Sequence, residues 1–286
     1  MSIASSTATV TNSSASPWLR KLGLWLSVIV LVSPAILVFL WMLSLSLKNE
    51  LDNTAYPPVF IPNPPTFANF TQVFAENNFG LYLWNSILVT GGAVIIGLLV
   101  GVPAGYGIAR GKSAKFAFLI LIARITPALS YLIPLFILFQ ILGLVGTVTG
   151  LMITHLVITI PIIVWIMIGY FESVPAELED AALVDGCSPW QSFRHIALPL
   201  ARPGISVGGI LAFIFSWNNF IFSVVLGGKA SRTLPSAVYN SLTFEQISWG
   251  PLAAAALLVT LPVLVVMVIA QREIIAGLSA GGLKDG

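Results

Sequence analysis

At 286 residues, 57% hydrophobic and only 8% charged, the chain lies far from soluble domains, which carry about 25% charge, and its mean hydropathy of +0.95 excludes a soluble globular protein. A net charge of +2 argues against a nucleic acid partner, and the single Cys187 excludes an internal disulfide. With no second Cys and no His close to it in sequence, Cys187 makes no zinc site either.

Residues 1–21 begin with the Ser-, Thr- and Ala-rich stretch Met1–Ser16, which predicts a disordered cytoplasmic tail ending at Arg20 and Lys21. A bilayer core of ~30 Å takes roughly 20 apolar residues per helix, and the first uncharged run predicts a span over residues 22–47. That run is longer than a secretory signal core and no small-x-small site closes it, so it reads as a retained helix. Lys48 to Tyr82 is polar and carries Pro57, Pro58, Pro62, Pro64 and Pro65, which stop the helix and hold the backbone extended. Phe67, Phe70, Phe74 and Phe79 within it predict a short amphipathic helix at the membrane interface. A second span over 83–108 ends at Arg110, Lys112 and Lys115. From Ile125 to Phe171 there is no formal charge, too long a run for one span, and Gly143-Leu144-Val145-Gly146 divides it into spans over 116–142 and 147–171. After a polar loop over 172–202 comes a fifth span over 203–228. The segment Gly228 to Gly250, with Lys229, Arg232 and Glu245, is polar enough to meet a soluble partner; a sixth span over 252–270 and a cytoplasmic tail over 273–286 complete the chain.

No period-two alternation is present, so the reading is an all-α integral membrane protein of six transmembrane helices, with a membrane domain over 22–272. A cytoplasmic N-terminus puts Arg20, Lys21, Arg110, Lys112, Lys115, Arg194, Arg202, Arg272 and Lys284 inside, against Lys48, Lys229 and Arg232 outside. Nine against three places both termini in the cytoplasm.

The loop over 172–202 holds two helix signatures. Val174-Pro175-Ala176-Glu177 sets a proline at a first helical position and acids, with Glu179 and Asp180, in the first turn; Gly186 ends that helix. Ser188-Pro189-Trp190-Gln191 reads as a capping box, and its helix is expected to run to about Ala197, before Pro199. Leu178, Ala181 and Ala182 share a slim face of the first helix, and Trp190, Phe193 and Ala197 a bulkier face of the second. A slim helical face suits a groove on a partner, whereas an acidic helix is poorly suited to lie on the anionic inner leaflet.

Asp180-Ala181-Ala182, Gly186, Ile196, Leu198 and Pro199 match the spacing E-A-A-x3-G-x9-I-x-L-P, with Asp in place of the leading Glu. In this the chain resembles the permease subunits of ABC importers. Leu198-Pro199-Leu200-Ala201-Arg202-Pro203, Ser216-Trp217-Asn218-Asn219-Phe220 and the tail from Gln271 to Leu278 are similar to the carbohydrate-uptake branch, and to its smaller, maltose-type permease. The resemblance implies a type I importer permease fold in a bacterial cytoplasmic (inner) membrane, with half of a pathway for a sugar or related polyol. It implies as partners a second permease, an ATPase dimer and an extracytoplasmic solute-binding protein, besides the sugar and the bilayer. Coupling to the ATPase then falls to Glu179, Asp180, Ala181, Ala182, Asp185, Gly186, Ile196, Leu198 and Pro199, with the tail Arg272 to Lys284 as a second contact. The chain contains no Gly-x4-Gly-Lys-Ser/Thr loop, so no catalytic residue, cofactor or metal is expected on it, and ATP and Mg belong to the partner.

Polar residues inside the spans are the candidates for the pathway: Ser216, Trp217, Asn218 and Asn219, then Asn85 and Ser86, then Tyr131 and Gln140. Each has an alternative as a hydrogen bond between helices. Arg124 is expected to reach the cytoplasmic interface along its own stem, and His155 to be a helix-packing donor. A proton-coupled transporter needs carboxylates in its spans, and an intramembrane protease needs an aspartate pair or a Gly-x-Ser-x-Gly element; neither pattern is present. A permease of the same superfamily for an amino acid, peptide or phosphate is the remaining alternative.

Overall fold

The computed structural model describes residues 17–76, 78–240 and 248–281, and every described element is helical. Met1–Ser16, Glu245 and Lys284 lie outside those residues. In chain order the helices are α1 (Pro17–Ser46), α2 (Glu50–Asn53), α3 (Ala68–Glu76), α4 (Phe79–Arg110), α5 (Ala114–Ile125), α6 (Ala128–Ile141) and α7 (Val148–Ser173). The rest are α8 (Glu177–Val184), α9 (Pro189–Ser192), a π-turn (Phe193–Ala197), α10 (Leu198–Leu200), α11 (Arg202–Trp217), α12 (Ile221–Leu226), α13 (Leu234–Asn240) and α14 (Trp249–Gly281).

Four helices are each long and apolar enough to cross a membrane: Arg20–Ser46 within α1, Phe79–Arg110, Val148–Ser173, and Trp249–Gln271 within α14. Two bent pairs pass the same test together, α5 with α6 at 90° and Pro189–Leu200 with α11 at 72°, which brings the number to six if each pair is one span.

The third run, expected as one helix over 116–142, is broken instead. Pro127 disfavours the α conformation at the residue before it, and Thr126 is extended at φ −61°, ψ 125°. The fifth run is broken too, between α11 and α12. Asn218 Nδ2 donates back to the Ile214 carbonyl at 2.9 Å, and Asn219 Oδ1 accepts from the Phe222 N–H at 3.3 Å, so this asparagine pair ends one helix and starts the next. The sixth helix is longer than its apolar run and stays helical to Gly281, so most of the expected tail continues α14.

At the centre α4 packs along α7, with α11 against both. Gly97, Gly101 and Gly105 form a ridge on α4 at every fourth residue. A Cβ there would come within 3.0 Å of Ile163, 2.8 Å of Ile163 and 2.6 Å of Met167, so only glycine permits this approach of the two backbones. Thr159 Oγ1 adds a bond to the Ala93 carbonyl at 3.1 Å. α14 packs on α11 and α1, and the side chains of α1 are largely exposed, as befits a lipid-facing helix.

Beyond α1 the proline-rich segment folds into a cap; α3 is a short helix as expected but carries only Phe70 and Phe74 of the four phenylalanines, since Phe67 precedes it and Phe79 opens α4. Asn69 Nδ2 donates to the carbonyls of Ser46 and Lys48 at 2.9 and 2.8 Å. Lys48 is buried; its Nζ donates to the Val59 carbonyl at 2.6 Å and lies 4.7 Å from the Trp41 ring centre. The Glu50 carboxylate accepts from the N–H groups of Trp249 and Gly250 at 2.9 and 3.2 Å, supplying an acid to the N-terminus of α14 from across the cap.

Candidate coupling site and translocation pathway

The loop between α7 and α11 forms the two expected helices, but α8 starts at Glu177 after an Ala176 N-cap, so Pro175 precedes the helix and is not at its first position. α8 opens with Glu177, Glu179 and Asp180 in its first turn and closes on a Schellman arrangement. There the Cys187 N–H donates to the Ala182 carbonyl at 2.9 Å and the Gly186 N–H to the Leu183 carbonyl at 3.1 Å. Gly186 sits at φ +91° with open space for 4 Å around the position a Cβ would take, so what demands glycine is the backbone and not its surroundings. The capping box forms as expected: Ser188 Oγ accepts from the Gln191 N–H and Gln191 Oε1 from the Ser188 N–H. The second helix does not stop before Pro199. It passes through the π-turn into α10, and this wider turn takes up the crowding of the Pro199 ring against the previous turn.

The expected slim face of α8 is divided. Ala182 and Glu179 are buried against the rest of the chain, whereas Leu178, Asp180, Ala181, Val184, Asp185 and Gly186 face outward, with Val184 88% exposed. Ile196, Leu198 and Pro199 are half-buried at the base of the loop, and Phe193 and Ala197 lie in the core below it. Trp190, on the second helix, remains 63% exposed.

Glu179 is therefore turned into the membrane domain and away from the loop's exposed face. Its Oε1 accepts from Arg110 Nε at 2.8 Å and Nη2 at 2.5 Å, and its Oε2 from Tyr106 Oη at 2.5 Å. Arg110 also donates from Nη1 to the Phe171 carbonyl at 2.7 Å and from Nη2 to the Val174 carbonyl at 3.1 Å. One guanidinium at the end of α4 thus binds two carbonyls at the end of α7 and holds the first turn of α8. Tyr106, one turn before Arg110, packs edge-on to Phe171 and against Phe193, at centroid distances of 5.2 and 4.6 Å. Arg110 entered the sequence reading only as a cytoplasmic charge, and Tyr106 did not enter it at all.

The pathway candidates separate into two groups. Asn85 Nδ2 donates to the carbonyls of Ala230 and Arg232 at 2.8 and 3.0 Å, and Ser86 Oγ accepts from the Leu234 N–H at 2.7 Å. Ser216 is buried beside His155 Nδ1 at 2.7 Å, joining α11 to α7, and Trp217 Nε1 donates to the Val259 carbonyl at 3.0 Å. These four side chains hold helices and loops together, and His155 packs helices as expected. Tyr131 and Asn219 instead line one cavity of about 350 Å³ where the two helix breaks meet, together with Arg124, Thr126, Ile158 and Phe215. Tyr131 Oη there donates to the Ala123 carbonyl at 3.2 Å. Asn218, beside Asn219, is exposed. Arg124 lies ten residues beyond the start of α5, about 15 Å along it, and is an exposed member of this cavity's lining.

The family described as "Binding-protein-dependent transport system inner membrane component" matches residues 93–274, which include the core helices, the loop and both helix breaks. The chain belongs to this family. Among the family's permeases, the trehalose transport system permease protein of Mycobacterium tuberculosis is 35% identical over 89% of this chain and 94% of its own. The sulfoquinovosyl glycerol transport system permease protein of Agrobacterium fabrum is 34% identical over 86% and 87%. A diacetylchitobiose uptake system permease protein of Streptomyces coelicolor is 32% identical over 91% and 86%. The fold is similar to that in a crystal structure of a bacterial ABC transporter that imports the acidic polysaccharide alginate, with a TM-score of 0.75, 23% identity, and 90% of this chain and 98% of the other covered. These relatives are transport permeases, non-catalytic membrane components of ABC importers.

Proposed function

We propose that this chain is one of two permease subunits of an ABC importer for a sugar or related polyol, with six spans and both termini in the cytoplasm. The observation that carries the reading is the loop over 172–202: a pre-shaped pair of helices that turns Leu178, Asp180, Ala181, Val184 and Asp185 outward, in a chain of this family. A slim ridge of small and apolar residues flanked by acids fits a groove on an ATPase subunit, where ATP and Mg would be bound. Closure of the ATPase dimer would then tilt the helices between inward-open and outward-open states, with the loaded binding protein biasing the same equilibrium from outside.

Carbohydrate is the substrate class that the relatives' names support, since trehalose, diacetylchitobiose and sulfoquinovosyl glycerol all carry sugar units. The cavity at the two helix breaks offers what a sugar path needs, an amide at Asn219, aromatic surface at Tyr131 and Phe215, and the donors of Arg124. Purification by a tag on this chain tests the class directly. Recovery of an ATPase, a second permease and a solute-binding protein is the expected result, and ATP-dependent uptake of a labelled sugar into vesicles bearing that complex completes it. An active transporter consisting of this chain alone would overturn the reading.

A further inference from the structure

We infer that Arg110 is a positioning residue for the transport cycle: with Tyr106 and Glu179 it fastens the docking helix α8 to the inner ends of α4 and α7, so that a push on the loop moves both helices together. The inference rests on the proposed ATPase docking and names the part of the permease that receives the force.

α8 packs mainly on α9 and the π-turn, and joins α7 through the short link Val174–Ala176. Such a link bends. The guanidinium removes that freedom because its planar fork engages Glu179 through two N–H groups while its other donors engage the carbonyls of Phe171 and Val174. The ion pair is sheltered, with the Glu179 side chain 7% exposed. Tyr106 closes the second carboxylate oxygen, so both oxygens of Glu179 are engaged.

What lies beyond the hub makes it a point of force transfer. α4 runs from Arg110 at one end to Asn85 and Ser86 near the other, and those two hold the segment Ala230–Leu234. The 25 steps of chain from Asn85 to Arg110 cover about 37 Å, so one continuous helix, with Pro103 inside it, ties the docking loop to the far end of α4. The glycine ridge presses the same helix onto α7, so the two cannot slide independently without a collision at Ile163 or Met167. A displacement of α8 is thereby delivered to α4 and α7 as one unit, and the remaining helices are interrupted at Thr126, between α5 and α6, and at Asn218–Asn219, between α11 and α12.

The test uses the whole complex in proteoliposomes, with solute taken up per ATP hydrolysed as the readout. Arg110→Lys keeps the charge and loses the fork. It is expected to lower that ratio about tenfold, a coupling change of the usual size for linked sites. Tyr106→Phe and Glu179→Gln are milder and decide the matter if Arg110→Lys fails to assemble; each is expected to lower the ratio as well. The exchange Arg110→Glu with Glu179→Arg is expected to restore part of it. A ratio equal to wild type in assembled Arg110→Lys, or in both milder variants, would overturn the inference, even if thermal stability falls. A second readout does not depend on the ATPase. In the full chain in nanodiscs, with Cys187→Ser, spin labels at Gly107→Cys and Val184→Cys are expected to give a narrow distance distribution that broadens in Arg110→Lys. A distribution that does not broaden overturns the inference, whereas loss of the ATPase from the purified complex counts against the proposed function alone.

Discussion

Replacing Gly186 separates backbone demand from steric demand, because the space around it is open. Its φ of +91° is a conformation that side chains resist, and no atom lies within 4 Å of where a Cβ would stand. A residue held in a sparsely populated backbone region costs about 1–3 kcal/mol, least for Asn and most for a β-branched side chain. The cost is expected to appear locally, as opening of the Schellman turn through loss of the Cys187 and Gly186 bonds to Ala182 and Leu183, and not as failure of insertion. A strain of ~2 kcal/mol on this turn would leave roughly one molecule in 30 with the native angle between α8 and α9 if the open and closed turns were otherwise equal in energy. The series Asn, Ala, Val at this position should therefore show graded loss of ATP-driven uptake in proteoliposomes at constant protein in the membrane, with Asn near wild type and Val uncoupled. Normal uptake in Gly186→Val refutes the reasoning. So does an Asn variant as poor as Val, since that would place the demand on side-chain volume.

Gly105→Val brings a Cβ to 2.6 Å from that of Met167, and the overpacking is expected to cost about 1–3 kcal/mol or more, read as a lower melting temperature of the purified complex. Asn85→Leu leaves the carbonyls of Ala230 and Arg232 without their donor; a loss of about 1–3 kcal/mol should appear as faster proteolysis of the segment around Arg232. Asn219→Ala and Tyr131→Phe alter the cavity at the helix breaks and are expected to raise the KM for solute several-fold while the complex assembles normally; an unchanged KM in both would remove that cavity from the pathway.

Much of the helical layout was legible because an uncharged run of sufficient length has few alternatives to a helix. The two breaks were less so, although each has a local cause. Pro127 sits in the third run and restricts Thr126, and the Asn218-Asn219 pair can bond its own backbone, but hydrophobicity averaged along a run hides a single residue. The two caps at the turn between the loop's helices were readable to the residue, since a Gly after an acidic helix and a Ser-Pro-x-Gln box act over one turn, whereas the start of α8 lies two residues beyond Pro175. The hub was not. Arg110 and Glu179 are 69 residues apart, and each already had a sufficient local explanation, one as a cytoplasmic charge and the other as an acid in a first turn. The ranking of Ser216 and Trp217 beside Asn219, and of Asn85 and Ser86 ahead of Tyr131, does not match the grouping in space, because polarity within a run does not reveal which neighbour accepts the bond. The glycines at 97, 101 and 105 carried a four-residue spacing that was there to be read.

The two caps at the turn between α8 and α9 have a thermodynamic consequence for assembly. Because the Ala182 and Leu183 carbonyls already accept from Cys187 and Gly186, and Ser188 and Gln191 cap each other, the loop would enter the proposed partner's groove in its final shape and lose little entropy in docking. That rigidity is not portable. A free peptide over 172–202 would keep the caps but lose the floor formed by Arg110, Tyr106 and the core around Phe193, so it is expected to be a poor competitor of the intact subunit. An inhibitor meant to separate the subunits would have to reproduce a folded surface and not a linear epitope.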